Sequence, residues 1–380
     1  DIRNVSVGGT VTGRDYVGGA VGQIRNGDIS DSSASGTVTA TAEFAGGLVG
    51  RVETGGSIQR SHATSTVLAN GTGNTQNHVD QIGGLVGSFT GDSIVNSSAT
   101  GNVTAKSGEI NEIGGLVGLY DGSGDIVDSS ASGDVSSEYK EVGGLVGEVD
   151  SGSIIDSSAT GDVTNSGTSG EGDDGDDVGG LVGEFDGDEI NRTYATGDVT
   201  NDGDEGDSIG GLVGDHDPAG DIVDSYATGN VTVETSSGNE IGGLVGTNSA
   251  GDIVNSSASG DVTGKFMEVG GLVGEVDSGS IVDSSATGNV TADGDDVGGL
   301  VGEFDGDKID NASATGDVDS PAGGIGGLVG DHDPAGHLTD SYATGDVDGS
   351  SFTGGLVGTM RAGNVTDSYA TGAVTGNSSV

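Results

Sequence analysis

The sequence predicts an all-β chain, a parallel right-handed β-solenoid (β-helix) of about 12 coils of roughly 28–37 residues, without disulfides. Three observations predict it. A glycine motif recurs along the 380 residues, an apolar module follows each copy at fixed phase, and that module alternates with period two.

The glycine motif is Gly-Gly-Leu-Val-Gly, with its first glycine at 46, 83, 114, 143, 179, 210, 242, 270, 298, 326 and 354, and a variant with Ala20 for leucine beginning at Gly18. Leu and Val both recur, yet neighbours on a strand point to opposite faces, so their placement stays open and a glycine bulge is one way to turn the chain there. The second module reads Ile-x-Asp/Asn-Ser-x-Ala-Thr-Gly-x-Val. In the copy from Ile154, Ala159, Gly161 and Val163 alternate with Thr160 and Asp162. That is a strand with a small-residue inner face. Helical spacing is absent, and glycine at this density would cost a helix ~1 kcal/mol per residue. A coil is expected to hold roughly three short strands, stacked ~4.8 Å from the next. One coil cannot bury its own apolar face, so each borrows its neighbours. The Asp/Asn two residues after the isoleucine (Asp31, Asn96, Asp156 and their equivalents) marks a corner, its side chain bonding nearby backbone and forming a polar ladder when stacked.

The whole of 1–380 reads as one solenoid. Residues 1–17 form a half coil, 18–142 the first coils, and 143–269 and 270–380 two duplicated four-coil blocks. The duplication shows in Glu148-Val149-Asp150 against Glu275-Val276-Asp277, and in Asp215-His216-Asp217 against Asp331-His332-Asp333. Length varies mainly between the closing valine and the next glycine motif, where 68–81 and 164–177 are longest. These loops leave from one edge, the candidate binding edge.

Composition narrows the function. Without cysteine there is no disulfide framework, thiol nucleophile or thiolate metal site. No apolar run approaches membrane-spanning length, and no basic-then-apolar leader opens the sequence, so no membrane insertion is expected. With 61 acidic residues against 11 Lys and Arg, the net charge of −50 repels nucleic acid.

Gly-Gly-Leu-Val-Gly followed by Asp-Ser-x-Ala-Thr-Gly resembles the GLUG repeat, and the likeness covers nearly the whole chain. The resemblance implies an extracellular repeat region of a large prokaryotic surface protein, with no chemistry of its own. His-Glu-x-x-His does not occur, so the peptidase activity found beside such repeats elsewhere is not carried over. The acidity is similar to that of halophilic archaeal proteins.

In dilute buffer the charge opposes folding, and in molar salt the Debye length shrinks to ~3 Å. Calcium is the rival reading, because carboxylates are its ligands. The candidates are Asp173, Asp174, Asp176, Asp177, Asp204, Asp207, Asp295 and Asp296, none with EF-hand spacing. No cofactor is required, and weak Ca2+ or other cation binding is the expectation. The charge is uneven: residues 1–110 hold nine acids against six bases, and the remainder 52 against five.

His216 and His332, each between two aspartates, read as a polar turn copied by duplication, the alternative being a paired metal or sugar contact. Tyr194, Tyr226, Tyr342 and Tyr369 share one repeat position, as surface packing or as a ligand-stacking strip. Among eleven Asn-x-Ser/Thr sequons, Asn102, Asn230 and Asn289 fall on the outward strand position and Asn70 on a long loop, the better glycosylation candidates. No catalytic residues are assigned, and the chain is read as a non-enzyme.

The expected function is an extracellular structural rod of a halophile, as a surface filament, stalk or adhesin segment. The alternative is a receptor- or glycan-binding fibre module, on a cell or a virion, that uses the loop edge. The sequence opens inside a coil and shows no cap at either terminus. The expected partners are therefore neighbouring copies, packed end to end or laterally, with cell-surface glycan or protein as the other class.

Overall fold

A computed structural model describes all residues except 71–80, 107–110, 139, 168–176, 204–207, 218–219, 235–239, 334–335 and 378–380. Among the described residues there is no helix, and the chain is a parallel β-solenoid of about twelve turns. It divides into two compact units, Asp1–Gly197 and Asp198–Val380. Among the described residues no helix is long and apolar enough to cross a membrane.

Each unit repeats one cross-section. A representative coil of the first unit runs Val142–Gly143, Val146–Ser151, Ile154–Ile155, Ser158–Ala159 and Val163–Asn165. That is five short strands in four parallel stacks, more than the three strands the sequence suggested. The extra breaks come from the glycine corner and from Thr160–Asp162, which divides the Ser-Ala-Thr-Gly-Asp-Val segment. Residues 158–163 still alternate inward and outward across that break. The first two coils keep the segment whole, pairing Ser6–Gly13 with Ser33–Ala40 over eight residues in register.

Like stacks on like. Ile126 pairs with Ile154, Ala131 with Ala159, and Val135 with Val163. The second unit does the same, with Ile253 on Ile281 and Val262 on Val290. The inward residues are sealed: Ile154, Leu145, Val146 and Val149 are 0 % exposed.

The glycine motif is a corner whose crowding excludes side chains. The chain bends at Gly144–Leu145 between two stacks, so consecutive Leu145 and Val146 both turn inward. Their N–H groups donate to one acceptor, the Leu181 carbonyl, at 2.8 and 3.0 Å. A Cβ on Gly143 would collide with the Val146 carbonyl, one on Gly144 with the Gly180 carbonyl of the adjoining coil, and one on Gly147 would lie 2.5 Å from the Ile113 nitrogen of the coil before. The three glycines thus fix the turn within a coil and the approach of coils on both sides.

The second corner forms the expected polar ladder but not the expected bonds to backbone. Thirteen residues two after the leading apolar position, Asn4 through Asp367, have φ between 47° and 53°. This left-handed region favours Asn and Asp. Their side chains do not cap the backbone. They point out and bond along the stack, as Arg60 does to Asp31 and Arg192 to Asp156. The following serine makes the interior ladder instead. Ser97 Oγ donates to the Val95 carbonyl at 3.0 Å and accepts from the Ser61 N–H at 3.2 Å, and Ser129 and Ser157 repeat the pattern.

Candidate functional site

The outward positions on either side of the glycine corner form two files. One is the residue just before the Ile/Val-Gly strand; the other follows the motif's last glycine. In the first unit Glu112 and Glu141 belong to the former file, and Glu148 and Glu184, paired in register, to the latter. In the second unit they are Glu240, Glu268 and Asp296, beside Glu275, Glu303 and Asp331. Carboxylate oxygens of half-buried Glu240, Glu268 and Glu275 lie within 4.8 Å of one another.

Half-burial and like charge set the chemistry. Burial, aided by the charges of Glu268, Asp277 and Glu303, pushes Glu275 up to about 8. Burial followed by neighbouring acids raises Glu303 to about 7 and Asp296 to about 6. In the first unit burial raises Glu141 to about 8, and burial with a hydrogen bond donated to Asp150 raises Glu148 to about 10. Asp331 is 2 % exposed and held by Arg361 at 2.9 Å, while Arg361 also reaches Asp333 at 2.7 Å. Such a strip takes up protons near neutral pH or offers oxygen ligands to hard cations.

Of the sequence-predicted acids, Asp173, Asp174, Asp176, Asp204 and Asp207 lie outside the described residues. Asp296 is in the strip, and half-buried Asp177 occupies the equivalent position in the first unit. Asp295 points away, accepting from the Gly323 N–H at 2.8 Å. Glu240, Glu268, Glu275 and Glu303 were missed by a reading that looked for acid-dense loops. Their signal was glutamate recurring against the glycine motif itself, as at Glu148, Glu184, Glu275 and Glu303.

His216 and His332 are not in a polar turn: both are 0 % exposed, on an inward column. In the second unit that column runs His216, Asn248, Val276, Phe304, His332 and Met360 in register. His216 Nδ1 meets Asn248 Oδ1 at 2.9 Å, and His332 packs on Phe304 with centroids 5.5 Å apart. Burial lowers His216 to about 4 and lowers His332 as well. The aspartates beside them alternate outward, which is why the string looked polar.

Tyr342 and Tyr369 stack at 5.3 Å with planes 7° apart, so their faces cover each other and their edges meet solvent. Tyr194 belongs to the first unit, in register with Ser158, and Tyr226 to the second, in register with Ser257. Asn70 is exposed at the end of Thr66–Asn70. Asn102, Asn230 and Asn289 are exposed on the outward position and join a second ladder, one the sequence did not announce. The Asp/Asn oxygen of one coil accepts the backbone N–H of its counterpart in the next, as from Asp162 to Asp134 and from Asp261 to Asn230. Of the long loops, residues 71–80 and 168–176 lie outside the described residues. Two shallow grooves of mixed polarity lie elsewhere in the first unit. One of about 460 Å³ is lined by Asp92, Ser93 and Asp125, and one of about 370 Å³ by Thr90, Asp121 and Ser151.

Comparison with known proteins agrees with this repeat. Residues 13–39, 80–104, 111–136, 139–164, 237–263 and 267–291 match the GLUG motif. A stretch of 157 residues, 38% of the chain, is 39% identical to halomucin of Haloquadratum walsbyi and spans 2% of that protein's length. No solved structure matches the chain.

Proposed function

We propose that this GLUG-repeat chain of haloarchaeal type is a non-enzymatic structural rod on the outside of a halophile, serving as a surface filament, stalk or adhesin segment. The observation that carries the reading is one coil, locked at its glycine corner, stacked on its equivalents with outward positions given over to carboxylates. Repetition of that kind adds length and surface rather than a reaction centre. The repeat family and the solenoid fold fit a non-enzyme. The likeness to halomucin, together with the acidity, supports a cell-surface or extracellular place in brine.

In this reading the exposed acids hold hydrated cations diffusely and keep the surface soluble at high salt, and neighbouring copies are the first partners. The shallow grooves of mixed polarity favour a second reading, a module that binds a cell-surface glycan or protein, whether on an adhesin or a virion fibre. Labelling intact cells with an antibody to the chain tests location. The expected result is labelling without lysis; labelling only after lysis overturns the reading. Screening the same chain on glycan arrays in molar salt separates a plain rod, which stays blank, from the binding module.

A further inference from the structure

We propose that Asn230 and Asn289 carry N-linked saccharides. Both begin sequons, Asn230-Val231-Thr232 and Asn289-Val290-Thr291, in which the middle valine is buried and the hydroxyl residue shares the outward face with the asparagine. The proposal rests on the surface location above, since a chain so modified must be exported.

The ladder decides which sequons are ready. Asn230 Oδ1 accepts the Asp261 N–H at 2.9 Å, and Asn289 Oδ1 accepts the Asp317 N–H at 3.0 Å. Each backbone N–H is held in turn, by Asp198 and by Asp261, both at 2.8 Å. The amide is therefore oriented through its oxygen, and among the described residues its Nδ2 makes no hydrogen bond. Nδ2 is the atom that is glycosylated. It would attack the anomeric carbon of a saccharide carried on a lipid phosphate. The C–N bond forms as the C–O bond to phosphate breaks, Nδ2 gives up a proton, and the phosphate leaves with the electron pair. The product keeps Oδ1, so the ladder survives modification.

Four other sequons lack that freedom. Asn102 Nδ2 donates to Asp134 at 3.2 Å and Asn191 Nδ2 to Glu189 at 2.7 Å, while Asn255 and Asn311 donate to Asp224 and Asp283. Saccharide there would replace a hydrogen bond. Asn230 and Asn289 lie two coils apart, about 10 Å by strand spacing, which leaves room for both chains.

The test is peptide mass mapping of the protein expressed from its full-length gene in a haloarchaeal host and recovered from the surface fraction. The expected result is a saccharide mass on both peptides, lost in T232V and T291V. N230D and N289D should lose it too without a change in melting temperature, because aspartate already fills this rung at Asp198, Asp261 and Asp317. A surface-located chain with both asparagines unmodified overturns the proposal while leaving the location intact. A chain found only inside cells overturns both.

Discussion

At the scale of single residues, three positions test why the coil closes. Gly144→Ala drives a methyl into the Gly180 carbonyl and against Ala159, and neither backbone can retreat without opening the stack. The expected loss is at least the ~1–3 kcal/mol of an overpacked core, against ~0.5 kcal/mol or less for exposed Thr160→Ala, read as melting temperatures. Ser129→Ala strands the Ser97 N–H inside the first unit and should cost about 1–3 kcal/mol by denaturant titration. The second unit already contains this change at Ala312, where Ser284 has no such neighbour. His332→Phe should raise stability by ~1 kcal/mol, because among the described residues neither imidazole nitrogen has a hydrogen-bond partner. The column accepts adjacent rings, as Phe89 and Tyr120 show at 5.3 Å in the first unit. The need for glycine was legible in the repeat. The placement of Leu and Val was not, because alternation along a strand carries no information about a corner between two stacks.

At the scale of the strand files, the acidic strip predicts an unusual pH profile. Carboxylates raised by burial hold protons in the folded chain that the unfolded chain has already released. Their contribution is present near pH 4.5 and is lost as pH rises toward about 7 to 8, where Glu303, Glu275 and Glu141 ionise. The buried histidines act oppositely. His216, lowered to about 4, makes the unfolded chain the better proton binder below about 6.5, so its contribution falls as pH drops from there. The raised carboxylates outnumber the two buried histidines, so melting temperature should be highest at or just below about pH 5 and decline toward pH 8. Glu141→Gln should flatten the decline on the alkaline side. A monotonic rise from pH 5 to pH 8 would contradict the placement of these carboxylates. The sequence displayed the loop acids and hid the strip, because its members come from separate coils and meet only when the files are stacked. The serine and Asp/Asn ladders were hidden for the same reason: their hydrogen bonds join residues about 28 to 36 positions apart.

At the scale of the whole chain, the fold class was readable because twelve copies repeat the same apolar phase, which averages away the ambiguity of any single segment. Function is less readable, since a repeated coil supplies surface and length but no unique constellation. What the whole chain does carry is a net charge of −50 on a thin core of Ala, Val, Ile and Leu. Repulsion among exposed acids reaches ~10 Å in 0.1 M salt and only ~3 Å in molar salt, so salt decides whether the stack outweighs its own charge. The most direct measurement is thermal unfolding followed by circular dichroism from 0.1 to 4 M KCl at neutral pH. The expected result is a cooperative β signal whose midpoint climbs steeply with salt, by more than the same salt series gives a neutral β-solenoid. A midpoint that is flat or falls as salt rises would contradict it.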